Sequence, residues 1–168
     1  MMDVHTTRHR VFDTPAGDFF LICGHDSAVS ARWDDGTDLD GSRLDPDLQP
    51  RLAAMLQRYF RGEPEEFDDV PTPAGPTFRR RCWEICRTVP RGETRSYGAL
   101  ATMAGSGTGA SRAAGQAMRH NPLPVIVPCH RIIAAGGLLY GYSGSVDPAG
   151  RELAIKRSLL ELERSTKQ

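Results

Sequence analysis

Cys129 stands between an apolar run, Val125-Ile126-Val127-Pro128, and the basic pair His130-Arg131. A thiol so placed is a candidate nucleophile, because the thiolate is the reactive form and an adjacent base or cation favours it. Neighbours in sequence do not face each other on a helix or a strand, so proton transfer from Cys129 to His130 calls for a bridging water. The imidazole in turn needs a third group to orient it. The closing helix offers two carboxylates for that task, Glu161 and Glu163. The competing reading of Cys129 is a packed core thiol, the commoner fate of a free cysteine. Cys82 and Cys86, four apart on an apolar helix face with Phe78, read as core thiols of this kind.

The elements that must hold Cys129 follow from periodicity and punctuation. Residues 10–33 read as an antiparallel meander, with turn chemistry at Thr14-Pro15-Ala16-Gly17 and a short apolar run from Phe19 to Cys23. Residues 34–47, rich in Asp and Gly, read as a mobile acidic connection. Leu48, Leu52, Met55, Leu56, Tyr59 and Phe60 have helical spacing, stopped by Gly62. Residues 63–76 hold five acids and four prolines and read as a linker. Beyond it, Phe78, Cys82, Ile85 and Cys86 share a helical face. Ser96 caps a second helix over 97–104, closed by Gly105, and Ala110–His120 forms a third with small side chains. Two helices about a Gly-containing turn, inside a basic segment, predict a helix-turn-helix. After a glycine-rich loop, a helix over Arg151–Glu163 ends the pattern.

The 168 residues carry 21 basic and 21 acidic side chains, a zero net charge that by itself argues against a polyanion partner. The average conceals a division. Residues 1–75 hold 15 acids and 7 bases, and residues 76–168 hold 6 acids and 14 bases. A basic half that also holds the helix-turn-helix pattern predicts a nucleic-acid surface. No apolar run reaches the ~18 residues of a membrane span, and the first residues lack an apolar signal core. The expectation is a monomer with reduced thiols, cytoplasmic, or nuclear in a eukaryote. Cys23, His25, His5 and His9 match no strong zinc spacing, so no metal is expected.

Pro128-Cys129-His130-Arg131, preceded by Asn121-Pro122-Leu123-Pro124, resembles the active-site signature of the O6-alkylguanine-DNA alkyltransferases, also called methylated-DNA–protein-cysteine methyltransferases. Further motifs fall in the family order: Gly92-Glu93-Thr94-Arg95-Ser96-Tyr97, Ser111-Arg112-Ala113-Ala114-Gly115, Ala117-Met118-Arg119, Gly141-Tyr142-Ser143-Gly144 and Leu159-Leu160-Glu161-Leu162-Glu163. The close likeness covers roughly residues 77–163, and the first 75 residues match only loosely. The resemblance implies an α/β protein of two domains. Residues 1–75 would form a small antiparallel-sheet, RNase H-like domain with an acidic linker. Residues 76–168 would form a mostly helical, winged-helix-like DNA-binding domain.

It also implies roles. Cys129 would accept the alkyl group of O6-alkylguanine in double-stranded DNA, irreversibly and once per molecule, with no cofactor. His130 would act as a water-mediated base oriented by Glu163, with Glu161 as the alternative. Arg112 would fill the stack vacated by a nucleotide flipped through the minor groove, and Tyr97 would crowd the adjacent phosphate and bond the flipped base. Asn121 would brace the recognition helix against the active-site segment. Ser96, Ala110, Ser111, Ala113, Ala114, Met118 and Arg119 would meet DNA, the alanines, together with Ala117, by allowing close approach to a narrow groove. Arg95 and Arg119 are candidates for phosphate contacts. Met118, Val127, Tyr142, Ser143 and Gly144 would line the guanine pocket. Residues 145–152 make a longer join than the family pattern, which bears on the pocket rim. Three rival readings are a lesion-binding relative without transfer activity, a helix-turn-helix regulator and a Cys–His hydrolase. Cys129 itself argues against the first, and the adjacency of Cys and His against the last.

Overall fold

Strict alternation of buried and half-buried side chains marks the central strand pairing of the first sheet, over Phe19–Cys23. The computed structural model describes residues 7–24, 26–37, 39, 41–139, 141–142 and 145–165. Strands β1 (Arg8–Phe12), β2 (Phe19–Cys23) and β3 (Val29–Trp33) form the antiparallel meander. Thr14 Oγ1 donates to the Gly17 carbonyl at 2.6 Å and accepts from the Ala16 N–H at 3.1 Å. Gly17 turns the chain with a φ of 104°, open to glycine and costly for other residues. Phe19, Leu21 and Cys23 take the buried face. Helix α1 (Pro50–Phe60) buries Leu52, Met55, Leu56, Tyr59 and Phe60. The Phe19 ring lies 4.9 Å from Trp33 and 5.4 Å from Phe60, both edge-on, an arrangement that suits the ring quadrupoles.

One strand lies where a loop was expected. Arg43–Leu44 forms β4, which pairs in parallel with Arg8–His9 and gives the order β3-β2-β1-β4. A two-residue strand among aspartates carries no alternation to read. The chain divides into two units, Met1–Glu66 and Phe67–Gln168. The division falls earlier than the expected 75/76. Arg87 gathers the proline-rich segment, donating to the Phe67 carbonyl at 2.5 Å and the Val70 carbonyl at 2.6 Å, and Phe67 is buried.

In the second unit α2 (Thr77–Arg87) buries Cys82, Trp83 and Cys86. The Trp83 indole donates to the Ala117 carbonyl at 2.8 Å and ties α2 to α4 (Ser111–Arg119). Helix α3 (Tyr97–Met103) is capped by Ser96, whose Oγ accepts from the Ala99 N–H at 3.1 Å. A 3-10 turn at Thr108–Ala110 joins α3 to α4. Strands β5 (Arg95–Ser96) and β6 (Ile132–Ile133) pair in parallel, and α5 (Arg151–Arg164) closes the unit. The apolar run 125–128 is buried but contributes only an isolated bridge, Pro124 to Val127.

Candidate active site

Cys129 opens a single 3-10 turn, Cys129–Arg131, and is 6% exposed. The segment leading to it is held from within. Asn121, just past α4, donates from Nδ2 to the Val127 carbonyl at 2.8 Å and accepts the Leu123 N–H at 2.9 Å. Val125 is buried at a φ of 74°, a left-handed conformation that costs a β-branched residue about 1–2 kcal/mol. Burial pushes the Cys129 thiol up; hydrogen bonding from Asn121, the charge of Lys156 and hydrogen bonding from Tyr142 oppose it without cancelling it. The resting group is therefore a thiol, and its chemistry needs a base.

His130 is fully buried, with Nε2 2.7 Å from Glu163 Oε1. Burial outweighs the pull of Glu163 and holds the imidazole below its ordinary pKa. The ring is thus neutral at pH 7. Facing a carboxylate, Nε2 carries the proton and Nδ1 is the basic nitrogen. Glu163 is also fully buried and takes further donors. Arg131 reaches it from Nε at 3.0 Å and Nη2 at 2.9 Å, and the Gly92 N–H at 3.1 Å. Burial alone would raise this carboxyl, but His130 and Arg131 reverse the effect and hold it well below the usual carboxylate range. Arg131 supplies the permanent charge, and its Nη1 donates to the Val89 carbonyl at 2.7 Å. Of the two carboxylates, Glu163 is the one that meets the imidazole, and Glu161 is exposed.

Sequence reasoning missed Lys156. It is fully buried, donating to the Ile132 carbonyl at 2.6 Å and the Gly141 carbonyl at 3.1 Å, and it lies 3.4 Å from the Tyr97 hydroxyl. Burial lowers its pKa to about 8, against the opposing pull of the Cys129 and Cys86 sulfurs. Burial likewise raises the Tyr97 phenol. The available signal was a lysine on the apolar stripe of α5, beside Leu153, Leu159 and Leu160, where a charge is rare unless it is paired.

A cavity of about 370 Å³ opens beside the thiol. Its lining joins Cys129, Tyr97, Arg112, Met118, Arg119 and Tyr142, together with Ser111 and Val146. Met118 and Tyr142 are buried, whereas Arg112, Gln116 and Arg119 are exposed. Several expected residues lie elsewhere. Val127 is buried and not part of the cavity lining. The Ser96 hydroxyl is spent on the α3 cap, and Arg95 pairs with Glu93 at 3.2 Å on the surface. Ala114 and Ala117 have no exposed surface and cannot meet a groove. They are small because α2 and α3 pack against this face of α4, where the Trp83 bond lands. Ala113 is exposed and Ala110 half-buried. Ser143, Gly144, His5 and His25 lie outside the described residues. Among the described residues no cluster of His, Cys, Asp or Glu is placed to hold a metal, and no helix is long and apolar enough to cross a membrane.

The chain is similar in sequence and fold to known proteins. A family model described as 6-O-methylguanine DNA methyltransferase, DNA binding domain, matches residues 77–165. The methylated-DNA–protein-cysteine methyltransferase of Mycobacterium tuberculosis is 40% identical over 161 residues, covering 94% of this chain and 92% of the relative. The constitutive Bacillus subtilis protein of the same name is 41% identical over 118 residues, 68% of this chain and 67% of the relative. The crystal structure of Mycobacterium tuberculosis O6-methylguanine methyltransferase superimposes with a TM-score of 0.80 at 39% identity, covering 96% of this chain and 95% of that one. Mycobacterium tuberculosis OGT in complex with DNA gives 0.78 at 41% identity over 94% and 93%.

Proposed function

The chain belongs to the methylated-DNA–protein-cysteine methyltransferase family, and on that premise we propose that it repairs double-stranded DNA by moving the alkyl group of O6-alkylguanine onto Cys129 Sγ. The observation that carries this reading is one buried line of groups: Cys129 at the floor of a base-sized cavity, His130 next to it, and Glu163 fixing the imidazole at 2.7 Å. A purine substituent is out of reach inside a duplex, so the nucleotide must leave the stack. Arg112, exposed on the first turn of α4 at the cavity mouth, is the side chain to occupy the gap. Backbone contacts through Arg119 would give affinity without sequence preference.

The Cys129 proton passes through a water to His130 Nδ1, and the imidazolium formed is stabilised by the ionised Glu163. Sγ attacks the alkyl carbon in line, the S–C bond forms, and the C–O6 bond breaks with its electron pair left on the guanine. Tyr97 gives the leaving base a proton, and Lys156, 3.4 Å from the phenol oxygen, stabilises the phenolate that results. The product is a thioether, so each molecule acts once, as a monomer in the cytoplasm. The test is stoichiometry: a duplex carrying a labelled O6-methyl group should transfer one label per protein molecule and then stop. Continued turnover would contradict a suicide reaction, and no transfer despite DNA binding would favour a lesion-binding role.

A further inference from the structure

The alkyl transfer proposed above gives work to Arg112 and Arg119 but none to Gln116, which lines the same cavity mouth. The three residues stand at i, i+4 and i+7 of α4 and all are exposed, so they form one outward stripe with Gln116 in the middle. The backbone carbonyl of Gln116 accepts the His120 N–H at 3.1 Å. Among the described residues no hydrogen bond engages its side-chain amide. The stripe is held in place from behind. Ala114, Ala117 and Met118 are buried on the opposite face, and the Ala117 carbonyl, next in sequence, takes the Trp83 indole N–H at 2.8 Å. Ala113, exposed, and Gly115, half-buried, flank Gln116 and have no reach. The backbone of α4 can therefore come close to whatever the stripe meets.

An amide between two guanidinium groups adds a capacity that they lack. Arginine only donates, whereas Gln116 donates through Nε2 and accepts through Oε1. Close approach suits the minor groove, where every base pair shows acceptors but only the guanine 2-amino group supplies a donor. A side chain that both donates and accepts is thus fully satisfied at guanine, by N3 and the 2-amino group, and only half satisfied at an A·T pair. Register limits which pair it meets. Four residues of helix advance about 6 Å, less than two base-pair rises of about 3.4 Å each. With Arg112 in the gap, Gln116 therefore stands no farther than the second pair along. We propose that Gln116 is a specificity-determining residue, which bonds the minor-groove edge of a base pair within two steps of the extruded nucleotide and favours guanine there. The inference rests on the alkyl-transfer reading of Cys129 and deepens it: repair would act in any sequence through phosphate contacts, and faster where this guanine is present.

The test uses the full chain and duplexes that carry one O6-methylguanine. Guanine is placed at each position one or two steps away, in either strand, and exchanged singly for hypoxanthine, which lacks only the 2-amino group. Single-turnover methyl transfer is measured for the parent, Gln116→Ala and Gln116→Arg. At one position the exchange should slow the parent about fivefold, the worth of one hydrogen bond. In Gln116→Ala, and in Gln116→Arg with donors only, the ratio of the two rates should stay within about twofold of unity at every position. Each protein is compared with itself on two duplexes, so a general loss of affinity or stability in a variant does not move the ratio. A parent indifferent to the exchange at every position, or variants as sensitive as the parent, overturns the inference and leaves alkyl transfer standing. A parent that takes methyl from none of the duplexes defeats the alkyl-transfer reading and this inference with it.

Discussion

Replacing Glu163 with Gln keeps the shape of the side chain and removes its charge. In the folded protein that carboxylate receives His130 Nε2, two Arg131 nitrogens and the Gly92 N–H, with no exposed surface. The variant leaves Arg131, itself only 8% exposed, without its counter-charge, and turns one oxygen into an NH2 that faces donors. Breaking a buried pair from one side costs about 3–5 kcal/mol, a large share of the roughly 5–15 kcal/mol available to a domain. In a unit of this size that corresponds to a fall in Tm of at least about 12 °C. Urea denaturation and thermal melts of Glu163→Gln, with the exposed Glu161→Gln as control, measure it; the control should stay within about 0.5 kcal/mol of the parent. The pH dependence has a definite sign. Glu163 has its folded pKa below the ordinary glutamate value of about 4.3, so its contribution is complete above that value and is lost as the pH falls through the folded pKa. The parent should lose this stability in acid, and Glu163→Gln should lack that component. A loss under about 1 kcal/mol in Glu163→Gln, or an equal loss in Glu161→Gln, would refute the placement of the charge network.

Other substitutions test separate parts of the account. Ala114→Leu should cost about 1–3 kcal/mol by overpacking the α2–α4 contact, whereas Ala113→Leu on the exposed side should leave urea midpoints unchanged; similar losses at both would undo the assignment of faces. Arg112→Ala should slow repair of duplex far more than reaction with free O6-benzylguanine, measured by single-turnover rates, and equal slowing would contradict a role in extrusion. Lys156 has its pKa lowered from 10.5 to about 8, so between those values the unfolded chain holds a proton that the folded chain does not. Stability should therefore rise as the pH goes from about 8 to 10.5, and Lys156→Met should abolish that rise in urea titrations.

Much of this was legible in the sequence, for identifiable reasons. The meander, α1 and the capped α3 follow from alternation, helical spacing and the Ser96 hydroxyl, all local signals. Cys129 and its neighbours announced themselves by residue type, and the closing helix placed a carboxylate within reach of His130. What the pattern withheld was direction. Small residues along α4 suggested groove contact, yet Ala114 and Ala117 are small because helices pack on them, and only tertiary packing distinguishes the two. Glu161 and Glu163 are equivalent as letters and opposite in space. Lys156 was passed over because a long cationic side chain is ordinarily solvated, whereas here two carbonyls and a phenol meet it inside the unit. β4 escaped because two residues set no period.

The central claim is that Cys129 itself becomes alkylated. Incubating the protein with a duplex containing O6-methylguanine, then measuring its intact mass and mapping the modified peptide, examines that claim directly. One added methyl group per chain is expected, on the peptide carrying Cys129, and none in Cys129→Ser. An unmodified protein that still binds the duplex, or a methyl group found on any other residue, would contradict it.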